Sequence, residues 1–124
     1  MKRIHVDFLI AGAGLAGSVT GFLLKKAGAD VLALELLDAK KKEKLCGGML
    51  FETTLKQLAQ VFGEECRDKL QPVQINKVRD RFAGREILME KQVYYALLRK
   101  RLDDYCMERY LQAGLFCGRC CRTG

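Results

Sequence analysis

A chain of 124 residues, 49% hydrophobic and 30% charged with a single proline (Pro72), has the composition of one modest globular domain. That excludes a mainly disordered protein and a typical two-domain enzyme. Lysines and arginines outnumber acids by 22 to 15, a net charge of +7 that raises the question of nucleic acid or an anionic membrane surface. The positive residues are scattered, and the one dense run, Lys40–Lys44, includes Glu43, the pattern of a solvated loop. Nucleic acid is therefore not an expected partner, whereas a peripheral membrane contact is compatible with the charge.

The chain opens with an apolar strand, Val6–Ile10, interrupted by Asp7 and expected to be buried on both faces of a parallel sheet. The uncharged stretch from Phe8 to Leu24 imitates a signal peptide or a membrane span. Asp7 breaks its approach, the run is shorter than the about 20 residues a span requires, and its glycines weaken a helix. The remaining reading is a phosphate loop. Gly12-x-Gly14-x-x-Gly17 follows the strand and opens a helix, the dinucleotide fingerprint. Gly12 permits the tight turn, Gly14 lets the backbone approach a pyrophosphate, and Gly17 lets the helix lie close to the sheet. Leu15 and Ala16 then begin the helix, whose unpaired N–H groups and dipole make an anion site.

Lys25 and Lys26 suit the negative end of that helix, and Gly28 is placed to end it. Val31–Leu34 is the second strand. It finishes at Glu35, about 20 residues beyond the glycines, where a carboxylate can accept both ribose hydroxyls of an adenosine. That charge would repel a 2′-phosphate, which leaves NAD or FAD.

Further along, Glu52–Phe62 carries Leu55, Leu58, Ala59 and Phe62 at helical spacing and stops at Gly63, with a shorter helical turn over Glu64–Leu70. Val73–Phe82 reads as one strand, turning at Ala83-Gly84 into Arg85–Met89, with Val93–Leu98 as the next strand. These three are expected to form one small antiparallel insertion. Leu102–Ala113 is helical, with Leu102, Tyr105, Cys106 and Arg109 on one side and Gly114 as its stop. Leu115-Phe116-Cys117 starts a third parallel strand. Residues 1–116 thus form a dinucleotide-binding domain and 117–124 a Cys-rich tail, frayed or truncated.

The six cysteines (Cys46, Cys66, Cys106, Cys117, Cys120 and Cys121), with no persuasive export signal, read as reduced thiols of a cytoplasmic protein. Cys117-x-x-Cys120 lacks the further ligands that tetrahedral zinc needs, and His5 is the single histidine, so no metal site is expected.

The fingerprint within "VDFLIAGAGLAG" resembles the FAD-binding start of flavoprotein monooxygenases and reductases. "KLCGGML" resembles the Lys-x-Cys-Gly-Gly stretch of the geranylgeranyl reductase family of FAD-dependent oxidoreductases, and "YALLRKRLDDYCMERYLQAGL" is similar to that family's strand, arginine and helix pattern. The resemblance spans residues 4 to 116 but only the N-terminal third of such an enzyme. It implies FAD as cofactor and a hydrophobic, isoprenoid-like small-molecule substrate; the expected location is cytoplasmic, with membrane association left open beside it. It also implies Arg101 on the phosphate side of the flavin, with Lys100 as competing candidate, and Leu102-Asp103 in place of a Phe-Asp pair. The Cys-Gly-Gly loop would lie close to the flavin, making Cys46 the candidate catalytic residue, with Lys44 a nearby charge and Gly47 and Gly48 allowing close backbone approach. A buried structural thiol is the alternative for Cys46. The later Gly-Asp segment and substrate sheet of the family have no counterpart in these residues. The expected architecture is an α/β, Rossmann-type βαβ dinucleotide-binding fold with a small antiparallel β insertion, incomplete. An NAD-binding dehydrogenase fragment and an inactive nucleotide-binding module are the competing readings.

Overall fold

The computed structural model describes residues 3–36, 44–90 and 93–113, together with the backbone of Phe116–Arg119. The expectations for the 40–43 part of the basic run, for Gly114 and for the cysteines of the tail lie outside the described residues or side chains. The chain divides into two compact units, Met1–Lys44 with Lys100–Gly124, and Leu45–Arg99. The second is thus inserted into the first.

The first unit is built on a parallel sheet. β1 (Phe8–Ala11) pairs with β2 (Val31–Glu35) in the register Phe8↔Val31 to Ala11↔Leu34, and the helix α1 (Leu15–Lys26) crosses between them. Parallel neighbours cannot be joined by a tight turn, so the helix between them is the expected connection. α1 ends where Gly28 takes a φ of 91°, its N–H donating to the Lys25 carbonyl at 2.9 Å. Asp7 is used locally: its carboxylate accepts the Asp30 N–H at 2.8 Å, pinning the entry to β2.

The last strand of the unit, Phe116–Arg119, lies parallel to β2 in the register Leu32↔Phe116 to Glu35↔Arg119, so β2 is the central strand of the sheet. This is the third parallel strand expected from Leu115-Phe116-Cys117.

The core of this unit joins Ala13, Val31 and Ala33 to Met107 and Tyr110, with Ile10, Leu24, Ala29 and Ala113 packed around them. Contact between α1 and the helix that carries Tyr110 depends on Gly21, since a Cβ there would collide with the Tyr110 ring. Burial of β1 on both faces is not what forms. Ile10 turns inward, but Leu9 is 61% exposed, because the described helices of the unit cover the opposite face, which carries Ile10, Val31 and Ala33; Phe8, on that covered face at the start of the strand, is 47% exposed.

The second unit begins with β3 (Met49–Phe51), a strand absent from the sequence reading, leading directly into α2 (Glu52–Phe62). α2 has the boundaries its apolar spacing predicts and buries Leu55, Leu58 and Phe62, and Gly63 ends it at φ 98°. α3 (Glu65–Leu70) buries Cys66 and Leu70 and ends at Gln71, which adopts a left-handed conformation at φ 49°.

The expected strand Val73–Phe82 is two strands in different sheets. β4 (Val73–Ile75) and β5 (Val78–Phe82) are separated at Asn76-Lys77, and among the described residues β5 pairs only with β6 (Arg85–Met89), as a two-stranded ribbon. Ala83 and Gly84 both have positive φ, 49° and 76°, as a two-residue hairpin turn of matching twist requires. β7 (Tyr94–Ala96) lies instead between β3 and β4, antiparallel to both. The expected antiparallel insertion is present, divided into a three-stranded sheet and a separate hairpin. Alternation of apolar residues identified strand propensity here, and pairing partners far along the chain decided which sheet each strand joined.

α4 (Arg99–Gln112) starts earlier than its apolar spacing suggests and buries Leu102, Cys106, Met107 and Tyr110. Of the side read from the sequence, Leu102 and Cys106 are buried, and Tyr105 and Arg109 are half-buried.

Candidate nucleotide site

β1, the glycine loop, α1 and the end of β2 bring Gly12, Gly14, Leu15, Ala16, Gly17 and Glu35 into one place in the first unit. The loop follows directly from β1, whose ladder extends one residue further as the Gly12 N–H donates to the Leu34 carbonyl at 2.7 Å. Gly12 then turns with φ 95°, a conformation that side chains other than glycine's rarely adopt. A Cβ on Gly12 would meet nothing within 4 Å, so it is the backbone angle rather than crowding that calls for glycine there.

Gly17 is glycine for the opposite reason. A Cβ at this position would run into the carbonyl oxygen of Gly12, a backbone atom that cannot move aside. The helix therefore presses on the loop that precedes it, as the third glycine of the fingerprint requires. Gly14 is the N-cap of α1, at φ −73°, with no side chain capping the helix and no acidic residue in its first turn. The start of α1 is thus uncapped by any side chain of its own, and its N–H groups suit an anionic group approaching from outside.

Glu35 is at the loop, but with a bond that sequence reasoning did not foresee. Its Oε2 accepts the Ala13 N–H at 3.0 Å. Ser18, fully buried in α1, donates from Oγ to the Ala13 carbonyl at 3.1 Å and lies 4.0 Å from the Met107 sulfur. Neither Ser18 nor Ala13 was singled out from sequence; the available signal was a polar side chain four residues beyond Gly14 on the face that Gly17 and Gly21 define.

Arg101 also belongs to the first unit, exposed in the first turn of α4, where Lys100 is bound to Asp104 at 2.6 Å. Cys46 and Gly47 fall in the second unit. Cys46 carries an exposed free thiol, not the buried structural thiol of the alternative reading. Its sulfur accepts the Gly48 N–H at 3.4 Å, and the Gly48 carbonyl accepts the Leu97 N–H at 2.8 Å. Gly48 has φ 69° and no room for a Cβ beside the Leu97 carbonyl. Gly47 has open space around it and needs glycine neither for its φ nor for packing.

Elsewhere in the second unit, Arg67 bridges Glu52 at 2.9 Å and the Tyr95 hydroxyl at 2.6 Å while lying over the Tyr95 ring at 5.1 Å. Hydrogen bonding from Tyr95, then from Arg67, holds the Glu52 carboxyl below the usual carboxylate range. The same contact with Glu52 raises the Tyr95 hydroxyl. This network ties α2, α3 and β7 together. Among the described residues no cluster of His, Cys, Asp and Glu could hold a metal ion, and no helix is long and apolar enough to cross a membrane.

No family model matches the chain. It is similar to YdiS of Escherichia coli strain K12, named as a probable electron transfer flavoprotein-quinone oxidoreductase, at 32% identity over 127 residues, covering 92% of this chain and 28% of YdiS. It is also similar to the protein FixC of Salmonella typhi, at 30% identity over 122 residues with the same coverage. Among solved structures, a geranylgeranyl bacteriochlorophyll reductase-like protein from Thermoplasma acidophilum superposes with a TM-score of 0.69 at 20% identity, covering 90% of this chain and 29% of that one. The fold is therefore that of an α/β dinucleotide-binding protein in part, and the chain spans 28% of the length of the curated relatives it matches. Oxidoreductase relatives named for a flavoprotein, together with flavin-dependent structural neighbours, point to FAD as the cofactor of this group.

Proposed function

We propose that this chain is the ADP-binding portion of a FAD-dependent oxidoreductase acting on a hydrophobic substrate. The observation that carries the reading is the α1 N-terminus at Gly14, without a side-chain cap and reached by a glycine turn, with the Glu35 carboxylate anchored at the same loop. A diphosphate suits the N–H groups of a helix start that no side chain caps, and an acid at the end of the second strand suits the hydroxyls of a ribose. Gly12, Gly14, Leu15, Ala16, Gly17 and Glu35 would hold the ADP half. The flavin would supply hydride or electron transfer when bound, and this chain's own residues would bind and orient it.

The finer reading is a geranylgeranyl reductase-like enzyme with an isoprenoid substrate, in which Arg101 faces the phosphates and Cys46 and Gly47 face the flavin. The Lys44-x-Cys46-Gly47-Gly48 stretch and the name of the Thermoplasma acidophilum neighbour support it. The quinone in the name of YdiS is likewise a hydrophobic substrate, which supports that property more broadly than the prenyl one. A peripheral membrane contact is consistent with such a substrate and with the net charge of +7.

Titration with FAD, ADP and NAD tests the core of the proposal. FAD binds and is displaced by ADP, and the Glu35→Ala variant binds both more weakly. Binding of NAD without FAD, or of no nucleotide, overturns it. For the finer reading, reduction of the bound flavin followed by reoxidation with a prenylated acceptor is the expected activity of the longer protein.

A further inference from the structure

Two consecutive peptide groups of the glycine loop are gripped by side chains from different elements. The Gly12–Ala13 peptide donates its N–H to Glu35 at the end of β2. The Ala13–Gly14 peptide gives its carbonyl to Ser18 in α1. A trans peptide is planar, with its C=O and N–H pointing in opposite directions. Holding the Ala13 carbonyl against Ser18 therefore aims the Gly14 N–H away from the body of α1. By the same rule, holding the Ala13 N–H against Glu35 turns the Gly12 carbonyl the other way, and that oxygen is the atom a Cβ on Gly17 would strike.

The two grips divide the loop's donors. The Ala13 N–H already has a carboxylate as acceptor and is not offered to a phosphate. Ser18 is wholly buried, and Ala13 is 3% exposed, so neither bond is exchanged for water at small cost. We propose that Ser18 is a positioning residue for nucleotide binding: together with Glu35 it sets the Ala13 peptides so that the Gly14 N–H, and not the Ala13 N–H, is presented to the diphosphate. This inference rests on the ADP-binding reading above. It adds to it a residue outside the fingerprint and gives Glu35 a task in shaping the loop besides any contact with the sugar.

The test compares Ser18→Ala with Val31→Ala, a truncation in the same core that leaves the loop's bonds in place. ADP affinity is measured by calorimetry and stability by thermal unfolding without ligand. Ser18→Ala is expected to weaken ADP binding about 3- to 10-fold, the effect of losing one buried hydrogen bond that orients a donor. Val31→Ala is expected to lower the unfolding temperature with ADP affinity unchanged. A Ser18→Ala protein that binds ADP as tightly as the parent overturns the inference while leaving the ADP site standing. A parent chain that binds no ADP overturns both the site and the inference. Should Ser18→Ala fail to fold, amide NMR of the parent decides: ADP is expected to shift the Gly14 N–H strongly and the Ala13 N–H little, and the reverse order overturns the assignment.

Discussion

Each unit of the molecule has its own glycine loop, and the two are made in different ways. In the first unit, Gly12-Ala13-Gly14 joins a parallel strand to a helix and is shaped by a positive φ, by Gly17 pressing on the Gly12 carbonyl, and by grips from Glu35 and Ser18. In the second, Cys46-Gly47-Gly48 precedes β3 and is fixed at one residue, Gly48, bonded to Leu97 and to the Cys46 sulfur. The first loop has its geometry fixed by bonds and packing from three elements, as the proposed recognition of an anion through backbone N–H groups requires. The second leaves Gly47 and the exposed Cys46 thiol unconfined by packing, so its sequence reads as something other than a folding requirement.

Substitution can break this contrast. Gly17→Val is expected to have the largest effect, about 3 kcal/mol of lost stability with loss of ADP binding, because the clash is with backbone. Gly14→Val separates the two effects. Its φ of −73° accepts a side chain, so calorimetry with ADP should read no binding while the unfolding temperature holds. An equal loss of stability in both variants would make the two positions alike and remove the distinction between packing and ligand approach.

The second loop should divide differently. Gly48→Val is expected to cost about 2 kcal/mol, from its positive φ and the Leu97 carbonyl, whereas Gly47→Ala should stay within about 0.5 kcal/mol by thermal unfolding. Comparable losses at both glycines would mean that Gly47 is also a folding requirement. At the first loop, Glu35→Ala is expected to weaken ADP binding by about 1–3 kcal/mol, the range for a hydrogen bond to a charged group.

The smallest effect concerns acid. Glu52 is held below its ordinary value, so its contribution to stability is present above the unfolded-state value of 4.5 and is lost as pH falls through the depressed folded value. Because the pair with Arg67 is partly exposed, the effect should be modest and weaken with salt. A thermal-unfolding series against pH should show a shallower decline in Glu52→Gln than in the parent; parallel curves would remove Glu52 from the acid response.

Local chemistry was enough to place much of this molecule. The order strand, glycines, helix, strand and acid is a chain of short-range requirements, and each element has formed where those requirements put it, from Gly12 to Glu35. The same holds for α2, where apolar spacing defined both ends, and for the Ala83-Gly84 turn, where two positive φ angles are set by neighbours in the chain. Cys46 and Arg101 were legible only as matches to a pattern, and each has its place within its own unit.

What depended on tertiary structure was partnership across long stretches of chain. β7 could have continued the hairpin, yet it pairs with β3 and β4, because backbone groups of a strand are satisfied by whichever partners the packed elements bring alongside. Met107 and Tyr110, rather than Tyr105 and Arg109, entered the core because α4 meets α1 where Gly21 leaves space for a ring. The bonds from Ser18 and Glu35 to one alanine belong to the same class. Residue type made both side chains capable of hydrogen bonding, but only the closing of β1, α1 and β2 around the loop placed a buried N–H and a buried carbonyl within their reach.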